Sequence, residues 1–576
     1  MSMKRLSVLM VVVVLATMTV EGQDLAGYKR IVKELSSSKY QGRGYAMDGA
    51  NKAGEWLVKE FKRVGADEVV KQPFKLSINT FPGKMELKVD GKKQKPGVDF
   101  TMREFSPGVR GSFPLYYIDT ANYDSGKIFK DLEKEEYKDC FVVCDFLFSY
   151  RHRGDFGRLQ KKGECGNAGL LFTWEEPLKF YKAYGEKVVE KPIIWVPERF
   201  PKDAKRIDVD IENRFLEDYE CFNVVAKVEG RRHDSCYVFT AHYDHLGNLG
   251  KKVYYAGAND NASGVAAIVT LAAYYAKEKP EWDMYFIAFS GEDANLRGSE
   301  WYVGHPTVDL KEIKYLFNLD MIGDNNPVQY CEVSDEGLKG YEQMERLNEQ
   351  NGYFKGLNRG KSGENSDHYP FAVKGVPCIL FENEGGDAFK YYHTVYDTYE
   401  RGEFGTYEPI FRIVRDFVES YGAQVEGGYR YQHGWEYDTK EGHIKVHEVG
   451  TMTFGKEGKA MDCAVQEYTM KLNEGGEVKW TFYYASPSKW RVEGDDFYFA
   501  GEEKTFKMEV KESTVKGCSE ERGRELAQKI IESVRSSIGR EIKFKMTKLT
   551  SKELRWSYTY GDGHTDTWEF YRNRRQ

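Results

Sequence analysis

The chain has 576 residues, 41% of them hydrophobic and 30% charged, and a net charge of −7. That length is too great for one core and suggests three or four domains, with proportions ordinary for a soluble globular protein. No long basic run follows the first residues, so nucleic-acid binding has no electrostatic footprint.

Lys4 and Arg5 precede an apolar run from Leu6 to Val20, and Val20 and Gly22 put small residues before Gln23. This is the pattern of a cleaved signal peptide over 1–22, and the run is too short to span a bilayer comfortably. The expectation is a secreted or periplasmic protein with no stable membrane insertion after cleavage. The nine cysteines include no C-x-x-C pair, so a thiolate zinc knuckle has no support. Residues 23–114 read as the first part of the main domain, with two amphipathic helices around the glycine-rich loop KYQGRGYAMDG, then strands at QPFKLSI and KMELKVDGKK, the latter with an Asp-Gly turn. Residues 115–205 read as a small α/β insert, with buried-strand runs KDCFVVCDF, NAGLLFTW and KPIIWVP. Residues 206–425 alternate apolar strands with helices, which predicts an α/β fold: a mixed sheet flanked by helices. Residues 426–576 alternate as β structure with one amphipathic helix, and ELRWSYTY-GDGH-TDTWEFYR is a hairpin signal. An antiparallel β barrel or sandwich is expected there.

The chemistry is concentrated in 206–425. His242 (in HYD), Asp260 (in GANDNASG), Asp293 (in GEDANLRGS), Asp320 (in FNLDMIG) and His393 (in HTVYDT) mostly follow apolar strands, at the ends where ligands bind in α/β sheets. One bridging carboxylate, one histidine per metal and one further carboxylate per metal suit a pair of zinc ions better than Mg or Ca, which prefer all-oxygen shells. Glu292 beside Asp293 suits a general base, because burial and nearby cations tune its pKa. Asp244 is placed to accept the second imidazole N–H of His242, and Asp397 to do so for His393 or to cap a helix. His245 is the near competitor of His242 as ligand. Ser366-Asp367-His368 are adjacent and so cannot form a triad, leaving them a supporting role at the pocket wall.

Together HYD, GANDNASG, GEDANLRGS, LDMIG, SDHYPFAVKGVP and YHTVYDT, in that order, resemble the zinc exopeptidases of metallopeptidase family 28 over roughly 23–425. The resemblance implies a zinc exopeptidase fold, two Zn2+ on His242, Asp260, Asp293, Asp320 and His393 with Asp260 bridging, and Glu292 as general base. The insert is similar to the protease-associated module of some members, and 426–576 resembles lipocalin-like accessory β domains, open to an unknown ligand or surface. Two positions depart from the family: Asp293 stands where Glu is usual, and Gly363 where some aminopeptidases place a carbonyl-polarising Tyr. The function implied is hydrolysis of N-terminal residues from peptide substrates through a metal-bridging water. A glutaminyl cyclase-like acyltransferase, a carboxypeptidase using a basic pair such as Arg359 and Lys361, and a non-catalytic receptor-like scaffold are the alternatives.

Overall fold

The computed structural model describes residues 24–174, 176–180, 185–382, 390–422, 425–455, 458–550, 552–561 and 563–572. The expected signal peptide lies outside them. The chain divides into two compact units, Met1–Arg415 and Asp416–Gln576.

The first unit is built on an eight-stranded sheet: β1 (Glu68–Thr80), β2 (Arg214–Val228), β3 (Arg232–His242), β4 (Trp282–Phe289), β5 (Ile313–Leu319), β6 (Val328–Val333), β7 (Gly356–Lys361) and β8 (Cys378–Glu382), in the order β1-β2-β4-β3-β5-β8-β6-β7. The four central strands are parallel, whereas β1, β2 and β6 introduce antiparallel pairs. Successive side chains of β3 point to opposite faces. Val238 joins Tyr302 and Phe371 of the helices Arg297–Gly304 and His368–Val373. Phe239 stacks between Phe286 and Phe317, at 5.0 and 5.4 Å, and meets Tyr275 of the helix Gly264–Glu278. That helix is apolar nearly all round, as an element buried in a central layer must be. Its first residue must be glycine: a Cβ on Gly264 would lie 2.0 Å from the carbonyl oxygen of Leu319, one residue before Asp320.

Register fixes the site. In the parallel pairs His242 stands opposite Phe289, and Thr240 opposite Asn318. The ends of β3, β4 and β5 therefore lie level at one edge of the sheet.

The insert is larger than the sequence suggested. Its own eight-stranded sheet takes in Met85–Val89 and Arg206–Ile211, which pair with each other, so it begins before residue 115 and runs past 205. The parallel strands Val109–Tyr117, Phe141–Asp145, Gly169–Trp174 and Ile193–Pro197 form its other half. The Asp-Gly turn after Met85–Val89 holds both residues at positive φ, as the hairpin pattern predicted. The nine cysteines are free thiols. Among the described residues no helix is long and apolar enough to cross a membrane.

In the second unit, eight strands from Gly427–Asp438 to Thr565–Arg572 form an antiparallel ring, closed by pairing of Lys459–Leu472 with Glu477–Glu493. A ninth strand, Lys507–Lys516, lies on Glu477–Glu493, and the helix Glu520–Ser537 buries Leu526, Ala527 and Ile530 against Trp480, Phe482 and Met508. The structure thus decides for a barrel over a sandwich. Side chains fill the interior, and Phe454, Phe497 and Trp556 pack as one aromatic cluster. A polar layer is also present: the Tyr431 hydroxyl donates to Asp462 (2.7 Å) and Glu448 (3.1 Å), Tyr484 donates to Asp462, and Gln466 donates to Glu448. Burial, then the neighbouring Glu448, pushes the Asp462 carboxyl well above its usual range. A carboxyl held neutral by the fold contributes stability below its unfolded pKa of about 4 and loses that contribution as pH rises through the folded value. Asp462→Asn should therefore gain thermal stability over the wild type as pH rises from 5 to 8, by about 3 °C at the upper end. Melting of the two full-length proteins across that range checks it, and a gap independent of pH would refute it.

Candidate metal centre

Four carboxylates and three imidazoles meet at the level edge of the sheet. His242 ends β3, Glu292 and Asp293 follow β4 by three and four residues, and Asp320 directly follows β5. Asp260 comes from the irregular turn Ala258–Ser263 that leads into Gly264–Glu278, and His393 from a loop after β8. His242, Asp260, Asp293 and His393 are at most 3% exposed and Asp320 is 7% exposed, so these charges are removed from water. That is unfavourable without a compensating cation.

The Asp260 carboxylate is central. Its Oδ1 lies 3.2 Å from His242 Nε2, and its Oδ2 lies 3.2 Å from His393 Nε2. Around this bridge, Asp320 Oδ1 is 3.4 Å from His242 Nε2, and Asp293 Oδ1 is 3.4 Å from His393 Nε2. The five residues expected as ligands are therefore all brought together, in two groups sharing Asp260. Glu292 stands beside them, with Oε2 3.9 Å from His242 Nε2. Burial alone would lower the His393 imidazole, but its hydrogen bonds to Asp260 and Asp293 raise it to about 9. His242 is likewise raised, against burial, by Asp320 and Glu292. Both imidazoles are drawn toward the charged form because the carboxylates around them need positive charge. Glu292 is pushed well above the usual carboxylate range by burial and by Asp293 and Asp320.

Zinc fits this donor set. Mixed imidazole and carboxylate is its chemistry. Asp320 Oδ1 is buried and makes no hydrogen bond. Among the described residues no lysine or arginine forms an ion pair with Asp260, Glu292, Asp293 or Asp320.

Several supporting roles differ from expectation. His242 Nδ1 faces the backbone carbonyl of Asp244 at 3.3 Å, while the Asp244 carboxylate is 3.8 Å away. Asp244 instead accepts from the Glu292 backbone N–H (3.2 Å) and the Tyr45 hydroxyl (2.7 Å), so it positions Glu292 and not the histidine. Asp397 accepts from the N–H groups of Asn259 and Asp260, at 2.8 and 3.0 Å, and so pins the start of the turn that carries Asp260, not His393. Ser366 donates to Asp320 Oδ2 at 2.7 Å and accepts from Asn318, which in turn accepts from Thr240. This is the supporting role expected for the Ser-Asp-His stretch. His245, the near competitor of His242 by sequence, lies inside the cluster, with Nδ1 3.0 Å from Asp293 Oδ2. Arg359 and Lys361 lie on the edge strand β7, three places from β5 in the sheet order.

Two contributors carried no ligand-like signal in sequence. Arg43 is fully buried and spends all five N–H donors on backbone carbonyls: Tyr243 and Leu35, then Ala256, Gly257 and Asp260, at 2.7–3.0 Å. The glycines on either side of it were the available hint. Gly42 has φ +71°, and a Cβ there would lie 2.3 Å from the Gly247 carbonyl oxygen. Tyr392 stacks on the His393 ring at 3.7 Å, and burial, then Asp260, Asp293, Glu292 and Asp320, push its phenol far up.

Residues 223–418 match Peptidase family M28. Aminopeptidase YwaD of Bacillus subtilis (strain 168) is 29% identical over 183 residues, which is 31% of this chain and 39% of that protein. An aminopeptidase of Pseudomonas aeruginosa is 34% identical over 125 residues, 21% of this chain and 22% of that protein. The chain thus spans less than half the length of these curated relatives. The crystal structure of BSAP, a zinc aminopeptidase from Bacillus subtilis, superposes with a TM-score of 0.54 at 18% identity, covering 69% of this chain and 95% of that one. A Peptidase M28 precursor from Shewanella amazonensis gives the same TM-score and identity, covering 69% of this chain and 93% of that one. The first unit therefore has the fold of these two proteins. The segment that matches the family, residues 223–418, has an insert ahead of it and a closed β barrel behind.

Proposed function

We propose that the protein is a secreted dizinc exopeptidase that removes N-terminal residues from peptides. The observation that carries this reading is the pair of ligand groups, His242–Asp320 and His393–Asp293, joined by one Asp260 carboxylate with Glu292 alongside. His242 and Asp320 with Asp260 would hold one zinc, and His393 and Asp293 with Asp260 the other. When bound, the ions would supply Lewis acidity at the scissile carbonyl and acidify water.

The chain's own part is proton handling and orientation. Glu292 Oε2 takes the proton of the attacking water and returns it to the leaving amine. Asp244 fixes the backbone of that residue, which matters because a small misplacement costs rate steeply. Tyr392 brings a neutral phenol against the cluster, a donor suited to a developing oxyanion. The N-terminal preference is supported by the relatives whose names say aminopeptidase, and by the absence of Arg359 and Lys361 from the described site, where a carboxypeptidase would gather them. Secretion rests on the Lys4-Arg5 and Leu6–Val20 pattern.

A panel of aminoacyl anilides, N-acetylated peptides and peptides with N-terminal Gln, assayed with and without chelator, tests the reading. Chelator-sensitive release from free N-termini, with blocked peptides untouched, is expected. Cleavage of N-blocked peptides from the carboxyl end, or cyclisation of the Gln peptide without hydrolysis, would displace it.

A further inference from the structure

We propose that His245 is a sixth protein ligand, binding through Nδ1 the metal that Asp293 and His393 hold. The inference rests on the dizinc reading and makes its two sites unequal.

The His245 Nδ1 atom lies 3.0 Å from Asp293 Oδ2 and 3.7 Å from Asp260 Oδ2. His393 Nε2 stands 3.2 and 3.4 Å from oxygens of the same two residues. Zinc bound at about 2.0–2.1 Å in a tetrahedron separates neighbouring ligand atoms by about 3.4 Å. One donor atom each from His245, Asp260 and Asp293 lies within 4.8 Å of the others, and His393 Nε2 stands against the same two carboxylates, a spacing that one coordination shell can take. His245 is also fixed in place. It is fully buried, its backbone N–H donates to the Arg43 carbonyl at 3.1 Å, and its ring edge lies so close to Gly257 that a Cβ there would approach Cδ2 to 2.5 Å. Its Nε2 makes no hydrogen bond, so no other partner holds the ring in this pose.

The departure at position 293 accounts for the room. Asp is one methylene shorter than the usual Glu, which draws the carboxylate back toward its own backbone. There its two oxygens divide, Oδ1 toward His393 and Oδ2 toward His245. An added imidazole replaces the reach that the shorter acid gives up.

The consequence is asymmetry. His242, Asp320 and Asp260 give one metal three protein ligands and an open position, beside Glu292. His393, Asp293, Asp260 and His245 give the other four, a closed shell of the kind that retains zinc. The closed site should load first and empty last.

Metal analysis and zinc X-ray absorption on the full-length protein test this. The wild type should bind two metals with about 1.5 imidazoles per metal, and His245→Ala should fall to about 1. Loss of hydrogen-bonded support to a ligand costs about 10–100-fold in affinity, so a loss of the tighter metal exceeding 100-fold is expected for a lost ligand. His245→Gln, which keeps a donor for Asp293 and suits a fold that rejects alanine, should not restore binding. Two metals bound by His245→Ala at unchanged affinity and imidazole count would overturn this proposal alone, as would rescue by glutamine. A wild type that binds fewer than two metals would overturn the dizinc reading and this proposal with it.

Discussion

Glu292→Gln is expected to cut turnover of an aminoacyl anilide by about 10²–10⁴-fold while zinc content stays at the wild-type level. The two effects separate because of where Glu292 sits. Its Oε2 lies 3.9 Å from His242 Nε2, whereas Asp260, Asp293 and Asp320 make shorter approaches to the imidazoles. Glutamine is isosteric and leaves the Asp244 contact intact, because that contact is made by the backbone N–H of residue 292. What it removes is a group able to carry the proton from water to the leaving amine. Burial and the neighbouring Asp293 and Asp320 make Glu292 hold a proton more firmly than an ordinary carboxyl, which suits the second of those transfers. Turnover measured together with metal content is decisive: near-normal hydrolysis by the variant would remove Glu292 from the mechanism.

The second large effect is expected behind the site. Arg43→Met should lower the stability of the first unit by at least about 4 kcal/mol and weaken metal retention. Methionine fills much of the volume but offers no donor, so five buried carbonyls lose their partner at once, each at a cost of about 1–3 kcal/mol before relaxation. Against a typical net stability of about 5–15 kcal/mol that is a severe loss. Two of those carbonyls belong to Gly257 and Asp260, so the turn carrying the bridging carboxylate loosens as well. The guanidinium also places positive charge behind Asp260, Asp397, Asp244 and Asp293, which act to keep it charged against burial. Arg43→Lys, with three donors, should fall between. Thermal unfolding and zinc retention of the three proteins provide the check, and a methionine variant as stable as the wild type would refute the argument.

The expected ligands were legible because each breaks a local rule. Asp320 is an acid closing an apolar strand, and Glu292-Asp293 follow another. Such residues have few uses other than chemistry. Their supports were not legible, because backbone geometry decides them. By sequence proximity Asp244 reads as a partner of His242, and Asp397 as a partner of His393 or a helix cap, yet each takes backbone N–H groups, Asp397 ones more than 130 residues away at the start of Ala258–Ser263. His245 could not be ranked, since its entry depends on the turn after β3. The insert was underestimated for a similar reason. Met85–Val89 reads as an ordinary strand, and only its pairing with Arg206–Ile211 assigns it to the second sheet.

The ring of the second unit is completed by its first and last strands: Arg430 pairs with Tyr571, about 140 residues later. During synthesis the strands of the first unit's main sheet, the last ending at Glu382, emerge well before this pair can form. The barrel therefore has to wait, with an open and aromatic-rich seam, until its final strand leaves the ribosome. Of the two units it is the one whose closure depends on pairing its own first strand with its last, and the one most exposed to mispairing if that last strand is delayed.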